Sequence, residues 1–231
     1  MSRLLVLSHP LRPDAPVWPG NPPAATIELV DSIARGDIDN ATRLGLFSHS
    51  GTHVDTPWHF NADGPAAWQL PLEAFVFDAP RLIEVPAGED QLIGRSDLEP
   101  HAAAVGEADL LMLRTGWSRH RASDPVAYAE RGPLLHPDAA RWLIDDHPRL
   151  RAIATDAISI GAPRFPQPSI DTHHVLTGVG RSDGRFVLIY EDVNLVAEAA
   201  GAIRVLAWPL FIEGADGSPC TIVAELPDST E

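Results

Sequence analysis

Short apolar runs, separated by stretches rich in proline and glycine, recur along this chain and set the first expectations. Arg3 to Ser8 and Thr26 to Val30 read as strands, followed by a turn at Gly36-Asp37-Ile38-Asp39-Asn40 and a third strand over Leu44 to Phe47. Ala79 to Val85 predicts another. The near-continuous run from Asp109 to Arg114 has the pattern of a central strand covered on both faces. Arg151 to Thr155, Val187 to Tyr190 and Ile203 to Leu210 predict further strands, and Thr221 to Ala224 a last one after a tight turn at Gly214 to Pro219. Ser96 and Glu99 have the spacing of a capping box, which predicts a helix from Asp97 towards Val105. Pro137, followed by Ala140, Leu143 and Ile144 at helical spacing, predicts a second helix. Ser169 to Gly178 reads as a third, and Arg181 to Phe186 as a hairpin excursion. Strands outnumber helices and the two are interspersed, so the expected class is mixed α/β, organised as one domain over residues 1–231.

One stretch carries polar residues where a buried strand would carry apolar ones: His49-Ser50-Gly51-Thr52-His53-Val54-Asp55-Thr56-Pro57-Trp58-His59. Its three histidines and one carboxylate occupy odd positions, so on an extended chain all four side chains share a face. Gly51 and Pro57 argue against a helix. Imidazoles and a carboxylate on one face form the ligand set of zinc, manganese or iron. His53 and Asp55 are roughly 6.6 Å apart along a strand, close enough to grip one ion, whereas His49 lies roughly 13 Å from His53 and joins only if the chain kinks. Ser50-Gly51 is the place where a kink is sterically cheap. Pro57 ends the strand and lets His59 swing back over the site. The alternative is a half-buried strand whose histidines are hydrogen-bonded structural residues.

Composition narrows the chemistry. A net charge of −15 weighs against nucleic acid and anionic membranes as partners. No apolar run approaches a membrane span, and the first residues lack the shape of a signal peptide. A lone cysteine, Cys220, rules out an intramolecular disulfide and fits a reducing cytoplasm. All 17 basic residues are arginine, which removes Schiff-base chemistry, a pyridoxal phosphate anchor and a P-loop lysine together. Carboxylates, histidines and a bound ion are left to carry the chemistry. His173 or His174, one of which should face inward from a helix, and Glu191, at the end of an apolar strand, are the further ligand candidates. The histidines can equally be surface helix polars, whereas Glu191, less easily dismissed, is either a functional group or the first residue back in water. Trp18, held between prolines and glycine in Val17-Trp18-Pro19-Gly20, is either a stiff stacking wall or a plug at the core edge.

The histidine stretch resembles the H-x-G-T-H-x-D-x-P-x-H signature of the metal-dependent cyclase family, whose bacterial kynurenine formamidases cleave amides of tryptophan-derived compounds. Pro16 to Gly20, His173 to Gly178, Tyr190 to Leu195 and Asp216-Gly217-Ser218-Pro219 resemble further segments of the family in the right order. The resemblance implies a swivelling β/β/α fold in a homodimer or tetramer. It implies that His49, His53 and Asp55 bind a first ion, and that Asp55, His173 and Glu191 hold a second, the two carboxylates bridging. Zinc or manganese is the implied metal. His59 becomes the acid–base residue, and Trp18 stacks on the substrate ring. The expected reaction is hydrolysis of N-formyl-L-kynurenine to L-kynurenine and formate. The alternatives are isatin or another cyclic amide as substrate, or a metal-binding protein without turnover. Thr56, the extended Asp31 to Asn40 region and the Arg181 to Phe186 excursion depart from the formamidase pattern and bear on the substrate.

Overall fold

Apolar strands that lack an exposed face must be covered twice, and this requirement organises the molecule. In this computed structural model residues 2–228 are described. The strands are β1 (Arg3–Val6), β2 (Ala25–Asp31), β3 (Ala41–Leu46), β4 (His53–Asp55), β5 (Val76–Phe77) and β6 (Pro80–Glu84). They continue as β7 (Leu92–Ile93), β8 (Leu110–Arg114), β9 (Leu134–Leu135), β10 (Ala152–Thr155), β11 (Leu188–Glu191), β12 (Arg204–Pro209) and β13 (Gly217–Leu226). A nine-stranded mixed sheet runs β5-β12-β13-β4-β11-β10-β8-β6, with β1 also paired to β13. The β6, β8, β10 and β11 strands are mutually parallel, and β4 joins β11 and β13 antiparallel on its two edges. The three residues of β4 are therefore the seam between a parallel and an antiparallel half. The class is mixed α/β, as the alternation of strands and helices predicts.

Side-chain alternation sorts the central strands onto two cores. Leu110, Met112, Ala152, Ala154, Leu188, Tyr190 and Val54 enter one apolar cluster. Leu111, Leu113, Ile153 and Ile189 enter the other, where they meet Leu143 and Ile144 of the helix Pro137–Asp146. Each leucine, isoleucine, valine or methionine among them, fully buried, contributes about 1.5–3 kcal/mol relative to exposure. That helix begins as expected, with Pro137 in its first turn and the His136 side chain capping the Asp138 amide. The helix Pro166–Leu176 packs beside it, and Thr172 Oγ1 donates to the Leu135 carbonyl at 2.7 Å. None of the helices among the described residues is long and apolar enough to cross a membrane.

Several local expectations are corrected. The helix carrying His173 starts at Pro166, not Ser169, because prolines are tolerated in a first turn whose amides have no intrahelical partner anyway. The Ser96–Glu99 capping box does not form. Asp97 instead accepts from the Gly94 amide at 2.8 Å. The helical stretch itself is present, as the helix Arg95–Leu98, a 3-10 turn over Glu99–His101 where Pro100 removes a donor, and the helix Ala102–Glu107. The last strand starts at Gly217 rather than Thr221, since pairing with β4 extends it into the turn. Arg181 to Phe186 is a turn, not a hairpin. Arg181 pairs with Asp183 and Asp145, and the Arg185 guanidinium donates to the carbonyls of Ile144 and His147 at the end of the Pro137–Asp146 helix. This segment clasps a helix terminus, where a cation meets unpaired carbonyls and the negative end of the dipole.

Candidate active site

The histidine stretch is not one extended run. His49 lies in a turn after β3, the chain reverses at Gly51 with φ +61°, and only His53 and Asp55 are strand residues. His59 ends a 3-10 turn that Pro57 opens. Parity therefore holds for His53 and Asp55 alone; the other two arrive by the kink at Ser50-Gly51 and the turn after Asp55. All four still converge. Glu191 comes in through register, lying directly across from His53 in the β4–β11 pair. On the other edge of β4, Gly217 lies across from Asp55, and a Cβ there would come within 2.7 Å of His49 Cε1 and 2.8 Å of the Val54 carbonyl. His173 reaches the same point from its helix, stacked on Phe60 at 4.6 Å between ring centroids. His174 turns towards the Phe60 edge instead and does not line the cavity.

The donor atoms are close and almost dry. His53 Nε2 lies 3.4 Å from Asp55 Oδ1 and 3.4 Å from Glu191 Oε2. His173 Nε2 lies 3.7 Å from Asp55 Oδ2 and 3.6 Å from Glu191 Oε1. His49 Nδ1 is 2.7 Å from Asp55 Oδ1, and His59 Nε2 is 4.0 Å from Asp55 Oδ2. Two sets with ligand atoms within 4.8 Å of one another share Asp55: His49, Asp55 and His59, and His53, Asp55 and Glu191.

Charge explains how such a cluster stays buried. The His49 nitrogens face two carboxylates, Asp55 and Asp216, so both must donate when no ion is bound. Burial would lower its pKa, but Asp55 and Asp216 raise it to about 9. Burial likewise works against protonation of His53, and its two carboxylate neighbours push it well upward. Asp55 and Glu191 are held below the usual carboxylate range by these imidazoles, although burial, and for Glu191 the Asp55 charge as well, acts the other way. Positive charge is what the site requires, as protons or as a cation.

The donor set fits a divalent ion. His53 Nδ1 donates to the Gly51 carbonyl at 2.8 Å and His173 Nδ1 to the Ser169 carbonyl at 2.7 Å, which turns each Nε2 towards the carboxylates, where it holds a proton or would give its lone pair to an ion. His53 Nε2 is buried and has no hydrogen-bond partner. Glu191 Oε1 is oriented by Ser159 Oγ at 2.8 Å and the Ile160 amide at 2.7 Å. Imidazoles fixed by backbone carbonyls and a carboxylate fixed by donors are the outer support that metal ligands require.

Asp216 belongs to the cluster, and the sequence did not single it out. Its Oδ2 lies 2.8 Å from both His49 Nε2 and His59 Nδ1, so it ties the two histidines together. The resemblance marks its Asp-Gly-Ser-Pro turn as a matching segment, but an aspartate in a turn reads as solvated. Ser159 gave no signal at all.

His49, His53, Asp55, His59, His173 and Glu191 form the floor of a cavity of about 380 Å³. Its walls include Val17, Trp18, Phe47, Phe60 and Ile170. Trp18 is half-buried and also rests on the cluster of Trp117, Tyr128 and Ile158, so it is both a wall and a core-edge plug. No arginine lines the cavity among the described residues, and the chain has no lysine.

The comparisons with known proteins agree with this geometry. A family profile described as "Putative cyclase" matches residues 5–162. A kynurenine formamidase of Maricaulis maris is 33% identical over 232 residues, covering 98% of this chain and 100% of that protein. One from Bacillus anthracis is 31% identical, covering 96% and 97%. Among solved structures, isatin hydrolase A from Labrenzia aggregata bound to benzyl benzoate superposes with a TM-score of 0.82 at 25% identity, covering 97% of this chain and 94% of that one. By profile, by near-complete relatives and by fold, the chain belongs to the cyclase family.

Proposed function

We propose that this protein is a metal-dependent hydrolase of small aromatic amides, acting on N-formyl-L-kynurenine to give L-kynurenine and formate. The observation that carries the reading is the buried, unpartnered His53 Nε2 set between Asp55 and Glu191 at the floor of an apolar cavity. His49, His53, Asp55, His173 and Glu191 would hold the ions, read as two zinc or manganese ions per chain. When bound, they supply Lewis-acid polarisation of the amide carbonyl and a lowered pKa for an attacking water. His59 is assigned to proton transfer, not ligation. Its side chain is 26% exposed, against 12% for His49, 4% for His53 and 7% for His173, so it is the imidazole a substrate reaches most easily. Its Nδ1 donates to Asp216 Oδ2, which leaves Nε2 to carry a proton into the cavity. As the C–N bond breaks, His59 Nε2 gives that proton to the departing aniline nitrogen. Trp18 and Phe60 supply aromatic faces for the substrate ring and keep bulk water from the floor.

A second reading has its own support. A cavity without arginine or lysine offers no fixed cation to the carboxylate of an amino-acid tail, which favours a neutral cyclic amide such as isatin. The resemblance to isatin hydrolase A points the same way. The one-domain organisation, a homodimer or tetramer, and a cytoplasmic location belong to the same proposal; the exposed apolar face of β2 and β3 supports the second.

A substrate panel tests the reading. Protein loaded with zinc, manganese or cobalt is assayed on N-formylkynurenine, isatin and formanilide, beside His59→Ala. Turnover of the first, reduced about 10²–10⁴-fold in the variant with ion content unchanged, is the expected result. Turnover of isatin alone selects the second reading. No turnover of any of the three overturns the amide-hydrolase reading.

A further inference from the structure

Immediately after Glu191 the backbone does something an L residue rarely does. Asp192 has φ +50°, and Asp90 is the one other non-glycine residue with positive φ among the described residues. Such a conformation persists only where the surroundings hold it. Here they do so from every side. The Asp192 amide donates to the Ala157 carbonyl at 2.9 Å, and its own carbonyl accepts from Thr52 Oγ1 at 2.6 Å. Its buried carboxylate accepts from Arg121 Nε and Nη2, both at 2.7 Å, and from the Tyr128 hydroxyl at 2.6 Å.

The position of this knot in the chain is what gives it consequence. Asp192 adjoins Glu191, and Thr52 adjoins His53; Glu191 and His53 are the register pair whose side chains carry the candidate ligand atoms. The knot therefore fixes the two backbones one residue outside the donors. Burial raises the Tyr128 phenol pKa well above its ordinary value, and the Asp192 charge adds to this, so the phenol stays a donor. Arg121 has its side chain 15% exposed and does not line the cavity. It touches neither ligand atom nor substrate space; it meets Asp192, which itself lines the cavity, and the Tyr128 hydroxyl that shares that carboxylate. Two-pronged pairing is what only a guanidinium can offer; an ammonium in its place keeps the charge and loses the planar fork. Without a partner cation, Asp192 would become a further buried, uncompensated carboxylate beside Glu191.

We propose that Arg121 is a positioning residue of the candidate metal centre: its forked ion pair with Asp192 holds the left-handed turn after Glu191 and so the alignment of Glu191 with His53. The inference rests on the metal-binding reading given above.

Chelator competition on the full chain, with zinc and with cobalt, separates this role from a merely structural one. Wild type, Arg121→Lys and Tyr128→Phe are compared for ion affinity, for the visible spectrum of the cobalt-loaded protein and for thermal midpoint. Arg121→Lys is expected to weaken ion binding about 10–100-fold, the range for loss of an outer partner, and to change the cobalt spectrum while the protein remains folded. Tyr128→Phe removes one donor of the knot and should weaken binding about 2–10-fold; it carries the test alone if Arg121→Lys does not fold. Wild-type affinity and an unchanged cobalt spectrum in the folded variants, with only the thermal midpoint lowered, overturn the proposal. A wild type that binds neither ion overturns the metal reading, and this inference with it.

Discussion

Two adjacent stretches of extended chain have opposite fates. Along β3, Leu44 is 58% and Leu46 36% exposed, whereas a few residues later His53 is 3% and Asp55 1% exposed. Hydropathy alone would reverse that order. The difference lies in partners. The β4 strand is hydrogen-bonded on both edges, by β11 and β13; His53 meets Glu191 across the sheet, and Asp55 is faced by the imidazoles of His49 and His53. The β3 strand pairs only with β2, in a ribbon whose faces divide by register. Ile27 and Leu29 share one face with Leu44 and Leu46, while Glu28 and Arg43 pair on the other. Burial in this molecule follows pairing and charge compensation, and a polar cluster can be the driest part of it.

The contrast breaks most visibly if the compensation at Asp55 is removed. This carboxylate faces His49 and His53 through one oxygen and His173 and His59 through the other, so it belongs to both donor sets. Asp55→Ala should abolish stoichiometric ion retention after dialysis. It should lower amide hydrolysis by more than the roughly 10–100-fold that an outer partner costs. Ion content and rate measured on the same preparation check this; retention of both would show that the seam strand does not supply the ion site.

A smaller effect sharpens the same point through packing. Gly217→Ala would place a methyl group within 2.7 Å of His49 Cε1 and 2.8 Å of the Val54 carbonyl, and a backbone atom cannot yield cheaply. Overpacking of this kind costs about 1–3 kcal/mol, so a lowered unfolding midpoint is expected, with His49 displaced from Asp55. An unchanged midpoint would mean that β13 and β4 do not pack as closely as their register requires.

What could be read from the chain, and what could not, divides along the same line. Spacing places His53 and Asp55 together, and the need for a kink at Ser50-Gly51 follows from strand geometry; Gly51, with φ +61°, is where the turn occurs. Glu191 was legible because a carboxylate closes an apolar strand. The choice of His173 over His174 came from resemblance, since helical spacing only says that one of the two faces inward. The places of Asp216 and Asp192 at the site were not legible. An aspartate in a turn, or beside another acid, looks solvated until long-range pairing brings Gly217 opposite Asp55 and Arg121 to Asp192. The predicted β2 missed its ends by one residue each, whereas β3 began three residues early, because ribbon pairing extends a strand beyond its apolar core. Nothing local could say that the ribbon's apolar face would be exposed.

The smallest expected effect lies on that face. Leu44 pairs in register with Ile27, which is 49% exposed, and no second layer of the same chain covers either of them among the described residues. Leu44→Ser removes apolar surface that is already largely in water, so the stability of the isolated chain should change by no more than about 0.5 kcal/mol. The slightly lower strand preference of serine acts in the same small range. Urea unfolding at several protein concentrations measures it, with the midpoint of the variant expected beside that of the wild type at each. A loss several times larger that depends on concentration would instead show the face covered by a second protomer, since only association makes stability follow mass action. In that case the ribbon and the seam strand would differ only in which chain supplies the partner.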